Sequence, residues 1–294
     1  MTQQLNSDKL FDWFVHALLA LICVIVLYPL VFVVSASISS PDTVMRGEVW
    51  LWPKQITLIG YVKVFQNSEI LTGYANTIVY TIVGTAINLV MSIAAAFPLS
   101  RRDFYGRNFF AAVMVFTMFF SGGMIPTYLL VKDLGMLNSM WALIIPGAVS
   151  VYNILIMRTF FQNGIPQEMQ EAASIDGCSN LGTLVRIVLP LSMPIIAVMI
   201  LFYSVGHWNA YFSALIYLTD RDQYPLQLFL REILIQGQMQ EMLGVGDDTN
   251  ARVVMEGEAI KYAVVIIANL PIFLLYPFLQ KYFVKGVMIG AIKG

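Results

Sequence analysis

Glu171-Ala172-Ala173, three residues, Gly177, nine residues, then Ile187-Val188-Leu189-Pro190 forms a polar insert between two apolar runs. It joins an acid, two small residues, a turn glycine and a proline, and Asp176 stands directly before the glycine. Such residue types suit docking rather than bond making. Pro166 fits the first position of a helix, where its missing N–H is no loss. Glu168 and Glu171 fall in the opening turns, at the positive end of the helix dipole. Gly177 suits the left-handed residue that follows the last turn. A second short helix starts near Ser179 or Asn180 and runs to Leu189, with Pro190 and Pro194 opening the next apolar run. Met169, Ala172, Ala173 and Asp176 share a face at helical spacing, and the paired alanines leave a shallow surface that another protein can approach closely. The alternative is a helix lying on lipid, whose apolar face would want Leu, Phe or Trp.

Other chemistry has little to stand on. His16 and His207 have no companion acids or cysteines at catalytic spacing. Cys23 lies in an apolar run and Cys178 in the polar insert, which fits neither a disulfide framework nor a metal cluster. The chain has no G-x-x-x-x-G-K-[ST] phosphate loop; Gly286 to Lys293 ends in Lys, but the spacing is wrong and it follows no buried strand. Gly244 to Asn250, with Asp247 and Asp248, lacks the ligand spacing and distal Glu of a hand-type calcium loop. The chain therefore reads as a non-enzyme with no metal or cofactor of its own.

The elements that must position the insert are membrane spans. Of 294 residues, 58% are hydrophobic and only 12% charged, against about 25% charged in a soluble domain. That leaves too little polar surface to dissolve one or two domains. A net charge of −1 gives no basic excess for nucleic acid. Apolar runs near 12–36, 74–98, 109–131, 140–161, 189–212 and 260–279 approach the length needed to cross a bilayer. Each must be helical, because a backbone in lipid has to satisfy its own hydrogen bonds. The first run is too long for a secretory signal core, and Lys9 is flanked by Asp8 and Asp12. The short turn holding Arg101, Arg102 and Arg107 gives the strongest vote on orientation. It places residues 1–11, the loop 162–188 and the tail 280–294 in the cytoplasm, with 213–259 as an outer loop.

The insert resembles the cytoplasmic signature of permease subunits of ABC importers, matching at Glu171, Ala172, Ala173, Gly177, Ile187, Leu189 and Pro190, with Asp176 in its commonest extended form. Asn76-Thr77, Pro98 to Arg101, Gly122-Gly123-Met124-Ile125-Pro126, Leu134-Gly135, and Trp208-Asn209 with Tyr211 are similar to the carbohydrate-uptake branch. Within it the chain resembles the second inner-membrane permease of maltose-type systems, closest to the subgroup handling oligosaccharides and plant or algal polysaccharide fragments. The resemblance implies an all-α integral membrane protein of the type I importer permease fold. It would have six transmembrane helices and a cytoplasmic coupling helix between the fourth and fifth. It further implies a bacterial inner-membrane site, a second homologous permease, two ATPase subunits that carry ATP and Mg, and an extracytoplasmic solute-binding protein. A non-sugar solute is the nearest alternative. An ion-coupled secondary transporter would need membrane-embedded carboxylates, and the spans contain almost none.

For sugar contact, the aromatic and amide side chains inside spans are the candidates: His207, Trp208, Asn209 and Tyr211, with Asn153, Asn76, Asn88 and Asn269. The competing reading makes each amide an interhelical hydrogen bond worth about 0.6–2 kcal/mol. Trp208 and Tyr211 also suit an interfacial belt. Ser121-Gly122-Gly123 with Pro126 marks a break in the third run, either a gate beside the pathway or a packing kink. Lys281, Lys285 and Lys293 suit anionic membrane lipid or an acidic ATPase surface.

Overall fold

The apolar runs become helices, but three of them are broken. The computed structural model describes residues 2–243, 257–258, 260–275, 277 and 280. The loop stretch Gly244 to Asn250 and the tail lysines Lys281, Lys285 and Lys293 lie outside the described residues. The chain divides into two compact units, Met1–Ser68 with Leu230–Asn269, and Glu69–Phe229 with Leu270–Gly294.

The first unit opens with α1 (Thr2–Ser37), followed by α2 (Pro41–Met45) and α3 (Ile59–Gln66). From Lys9 to Ser37 α1 is long and apolar enough to cross a membrane, and its most apolar stretch buries nothing. Its C-terminal end is stitched by hydroxyls. Ser35 Oγ donates to Leu51 O at 2.7 Å, Ser39 Oγ to Ser35 O at 2.6 Å, and Ser37 Oγ pairs with the Tyr61 hydroxyl at 2.8 Å.

The second unit carries α4 (Ser68–Ser100), α5 (Arg107–Phe119), α6 (Met124–Asp133), α7 (Met140–Ile144) and α8 (Val151–Gly164). It continues through α9 (Gln167–Ile175), α10 (Asn180–Thr183), a π-turn at Leu184–Val188 and α11 (Leu189–Leu191). Next come α12 (Met193–Trp208), α13 (Phe212–Tyr217) and the start of α14 (Leu226–Leu243). A further apolar helix, α15, spans Ile260–Leu275. Among the described residues, α4 is the other single helix long and apolar enough to cross a membrane.

Each break has a local cause. The axes of α5 and α6 bend by 108°, and Gly123 between them takes φ +85, a conformation that L side chains resist. The run 140–161, expected as one helix, parts into α7 and α8 around Pro146-Gly147, because proline lacks the N–H and crowds the carbonyl four residues back. The run expected to begin at 189 instead starts its straight helix at Met193. The segment Asn180–Leu191 bends away by 83°. Pro190 would crowd the Arg186 carbonyl in a regular helix, and the wider π-turn, in which Leu189 N–H reaches Leu184 O, relieves that clash.

The main core of this unit joins α4, α5, α8 and α12 through residues such as Ala96, Phe97, Ala111, Met157, Phe161 and Met199. Apolar surface is no driving force in lipid, so close approach and polar ties matter more. Ser92, fully buried on α4, hydrogen-bonds the Tyr203 hydroxyl of α12 at 2.6 Å. A smaller cluster packs α6, α7 and α13 through Val131, Ala142 and Tyr217.

Candidate functional site

The insert folds as two short helices joined by a tight turn. Pro166 is the N-cap of α9 rather than its first helical residue, which shifts the expected start by one position. The end of α9 closes by a paired hydrogen-bond turn. Gly177 N–H donates to Ser174 O at 3.1 Å and Cys178 N–H to Ala173 O at 2.9 Å, with Gly177 at φ +72. Ser179 then caps α10, its hydroxyl accepting from Gly182 N–H at 3.1 Å. Gln167 donates to Glu171 Oε1 at 2.6 Å, one turn along the same face.

Burial separates the residues of the insert. Glu171, Ala172, Asp176, Gly177 and Pro190 are exposed, Ile187 and Leu189 are half-buried, and Ala173 is buried. The two alanines therefore do not form one docking surface, since Ala173 faces its own chain. Elsewhere the insert does carry bulky apolar residues on its open surface. Ile175 is 86% exposed, Leu181 70% and Val185 53%. These aliphatics flank Gly177 in an otherwise polar insert, and that position was the signal available in the sequence.

Beside α9 lies a cavity of about 810 Å³, lined by the turn Ser100 to Arg107 and by Phe161 to Ser174. Arg101 makes a bidentate pair with Asp103 at 2.8 and 2.7 Å. That hydrogen-bonded guanidinium holds the Asp103 carboxyl below its ordinary range.

The aromatic and amide candidates fall into two groups. His207 Nε2 pairs with Asn88 Oδ1 at 2.6 Å, and Asn88 Nδ2 donates to Gly147 O at 2.7 Å. Trp208 is 5% exposed and meets Tyr74 edge to face at 5.7 Å, and Asn153 is also buried. Asn76 donates to Asp222 O and Tyr224 O, and Asn269 donates to Val265 O within its own helix. Asn76, Asn88 and His207 thus bond to parts of the chain distant in sequence. In the second group Asn209, Tyr211, Gly122 and Gly123 are exposed. A cavity of about 320 Å³ brings the break at Ser121 and Gly123 against Phe212, Ser213 and Ile216.

At the other end of α4, the stretch 218–226 is tied down by side chains. Asn138 Oδ1 accepts from Thr219 N–H at 2.6 Å and from its hydroxyl at 2.9 Å. Tyr80 donates to Gln223 O, Leu226 N–H donates to Thr77 Oγ1, and Arg221 pairs with Glu69 at 2.8 Å.

Residues 70–289 match the model of the binding-protein-dependent transport system inner membrane component. The chain belongs to this family. The permease is 41% identical over 293 residues to the polygalacturonan/rhamnogalacturonan transport system permease protein YtcP of Bacillus subtilis strain 168, covering 98% of this chain and all of that one. It is 27% identical to the arabinooligosaccharides transport system permease protein AraQ of Halalkalibacterium halodurans, across 98% of this chain and 99% of the relative. Among solved structures, it superposes with a TM-score of 0.85 and 32% identity on a bacterial ABC transporter involved in the import of the acidic polysaccharide alginate, covering 94% of this chain and 98% of that one. The permease is thus an all-helical inner-membrane component of a binding-protein-dependent importer. It is non-catalytic, with no bound cofactor, and the ATPases are separate subunits.

Proposed function

We propose that the permease carries oligosaccharide fragments of polysaccharides inward, acidic ones first. The observation that carries this reading is likeness over nearly the whole chain to a polygalacturonan/rhamnogalacturonan transport permease and to a transporter that imports the acidic polysaccharide alginate. In this reading the chain spans the membrane six times, through α1, α4, the α5–α6 pair, the α7–α8 pair, α12 and α15, with both termini cytoplasmic. It pairs with a second homologous permease above two ATPases, and a solute-binding protein delivers the sugar from outside.

The α9 segment is the coupling helix, seated on one ATPase through Glu171, Ala172, Asp176 and Gly177. Ile175 and Leu181 supply the apolar contact. Ala173, Ile187 and Leu189 hold that segment to the spans, and Pro190 sets the bend that follows it. ATP-driven closure of the ATPases moves α9, and with it α8 on one side and α12 on the other. Asn209, Tyr211, Gly122 and Gly123 border the pathway, whereas His207, Trp208 and Asn153 brace it.

The test is uptake of labelled fragments by cells expressing the complete importer, with a permease deletion as control. Permease-dependent uptake of oligogalacturonides or rhamnogalacturonan fragments, competed by unlabelled acidic oligomers, is the expected result. Uptake confined to neutral arabino-oligosaccharides would move the substrate class. Uptake of none of these sugars would end the oligosaccharide reading.

A further inference from the structure

Asn88 is 1% exposed, midway along α4, and both ends of its amide are engaged. Nδ2 donates to the Gly147 carbonyl at 2.7 Å, and Oδ1 meets His207 Nε2 at 2.6 Å. The Gly147 carbonyl accepts only, so it fixes which way the amide points. His207 must then donate from Nε2.

One turn earlier on the same face stands Gly84. A Cβ there would lie 2.5 Å from the His207 ring. The face of α4 is therefore shaped around that ring, with a glycine for room and an amide for the bond.

The partners of Asn88 lie at significant places in the chain. Gly147 sits in the break just before α8, and α8 runs to Gly164, two residues short of the Pro166 cap of α9. His207 lies at the last turn of α12, which begins where the Asn180–Leu191 segment bends. The segment leading into α8 and the last turn of α12 are thus joined, at the ends away from the proposed coupling segment, through one amide of a third helix. Gly147 lies outside a helix, so its carbonyl is free of a helical ladder and can change partner without unwinding one.

We propose that Asn88 is a positioning residue, a latch that holds α8 and α12 in register at the ends away from α9 and restrains the ATPases from turning over in the resting importer. The proposal rests on the reading of α9 as the coupling helix. Interhelical hydrogen bonds of this kind are individually weak, which suits a tie that must break and re-form in each cycle.

The test is ATP hydrolysis by the complete four-subunit importer in proteoliposomes without binding protein or sugar, normalised to assembled complex. Asn88→Ala should raise this resting rate about fivefold, the change expected from losing roughly one such tie. Gly84→Ala, which displaces the His207 ring, should raise it in the same direction. His207→Gln, which keeps an N–H donor towards Asn88, should restore a low rate where His207→Ala does not. A purely structural role would lower the amount of complex and leave the rate per complex unchanged.

Wild-type resting rates in Asn88→Ala and Gly84→Ala complexes that assemble normally would overturn the latch. So would equal behaviour of His207→Gln and His207→Ala. A Glu171→Lys control separates this from the underlying reading: ATPase loss in that variant with normal rates in the others sinks the latch alone. Full ATPase retention by Glu171→Lys sinks the coupling assignment and the latch with it.

Discussion

At one end of the helical unit, the stretch 218–226 is fixed by partners distant in sequence: Asn138, Asn76, Tyr80, Thr77 and Glu69. At the other end, the α9–α10 segment is ordered almost wholly by its own neighbours, through the Gly177 turn, the Ser179 cap and the Gln167–Glu171 contact. The first region satisfies its backbone within the chain. The second leaves Ile175 and Leu181 largely uncovered, which is costly for an isolated chain and natural for half of an interface. On the proposed reading of α9, the difference separates a region completed by folding from one completed by assembly.

The comparison breaks most visibly at the uncovered aliphatics. Ile175→Asp with Leu181→Asp should leave the permease in the membrane but weaken its hold on the ATPase. Each aliphatic buried in an interface contributes about 1.5–3 kcal/mol, so a loss of at least about tenfold in affinity is expected. Co-purification of the ATPase with tagged permease measures it, and unchanged recovery would mean that these residues face something else.

A smaller effect is expected from Gly177→Val. Space is no obstacle, since nothing lies within 4 Å of a Cβ there, but φ +72 strains any L residue. The cost is about 1–2 kcal/mol. Uptake should fall roughly tenfold with normal membrane levels, whereas a valine variant with full uptake would show that the turn is dispensable.

Asn138→Ala should act only at the opposite end. It removes the acceptor for Thr219 N–H, an exposed hydrogen bond worth about 0.5–1.5 kcal/mol. Faster proteolytic cleavage within 218–226, with ATPase recovery unchanged, is the expected pattern. Coupled loss of the ATPase would erase the distinction between the two ends.

The same contrast explains what was legible in the sequence. The α9 turn could be read because caps, glycine conformation and helix spacing are local, so residues 166–180 carry their own instructions. The stapled stretch could not, because its partners lie as far as 152 residues away, as in the Glu69–Arg221 pair. The partners of His207 and Trp208 were hidden for the same reason: Asn88 is 119 positions from His207, and nothing in the motif Trp208-Asn209 reveals that its tryptophan is packed on Tyr74. The division of α7 from α8 was hidden in an apolar run, although Pro146-Gly147 marked it. Burial of Ala173 was beyond spacing arguments, since a helical face says which residues move together but not which way they point.

The most direct test of the account is the fate of the ATPase in a Glu171→Lys permease. The substitution reverses an exposed charge on α9 and buries nothing. The account predicts normal membrane insertion, loss of the ATPase from the purified complex and abolished ATP-dependent uptake of oligosaccharide. A Glu171→Lys permease that retains its ATPase and transports at the wild-type rate would contradict it.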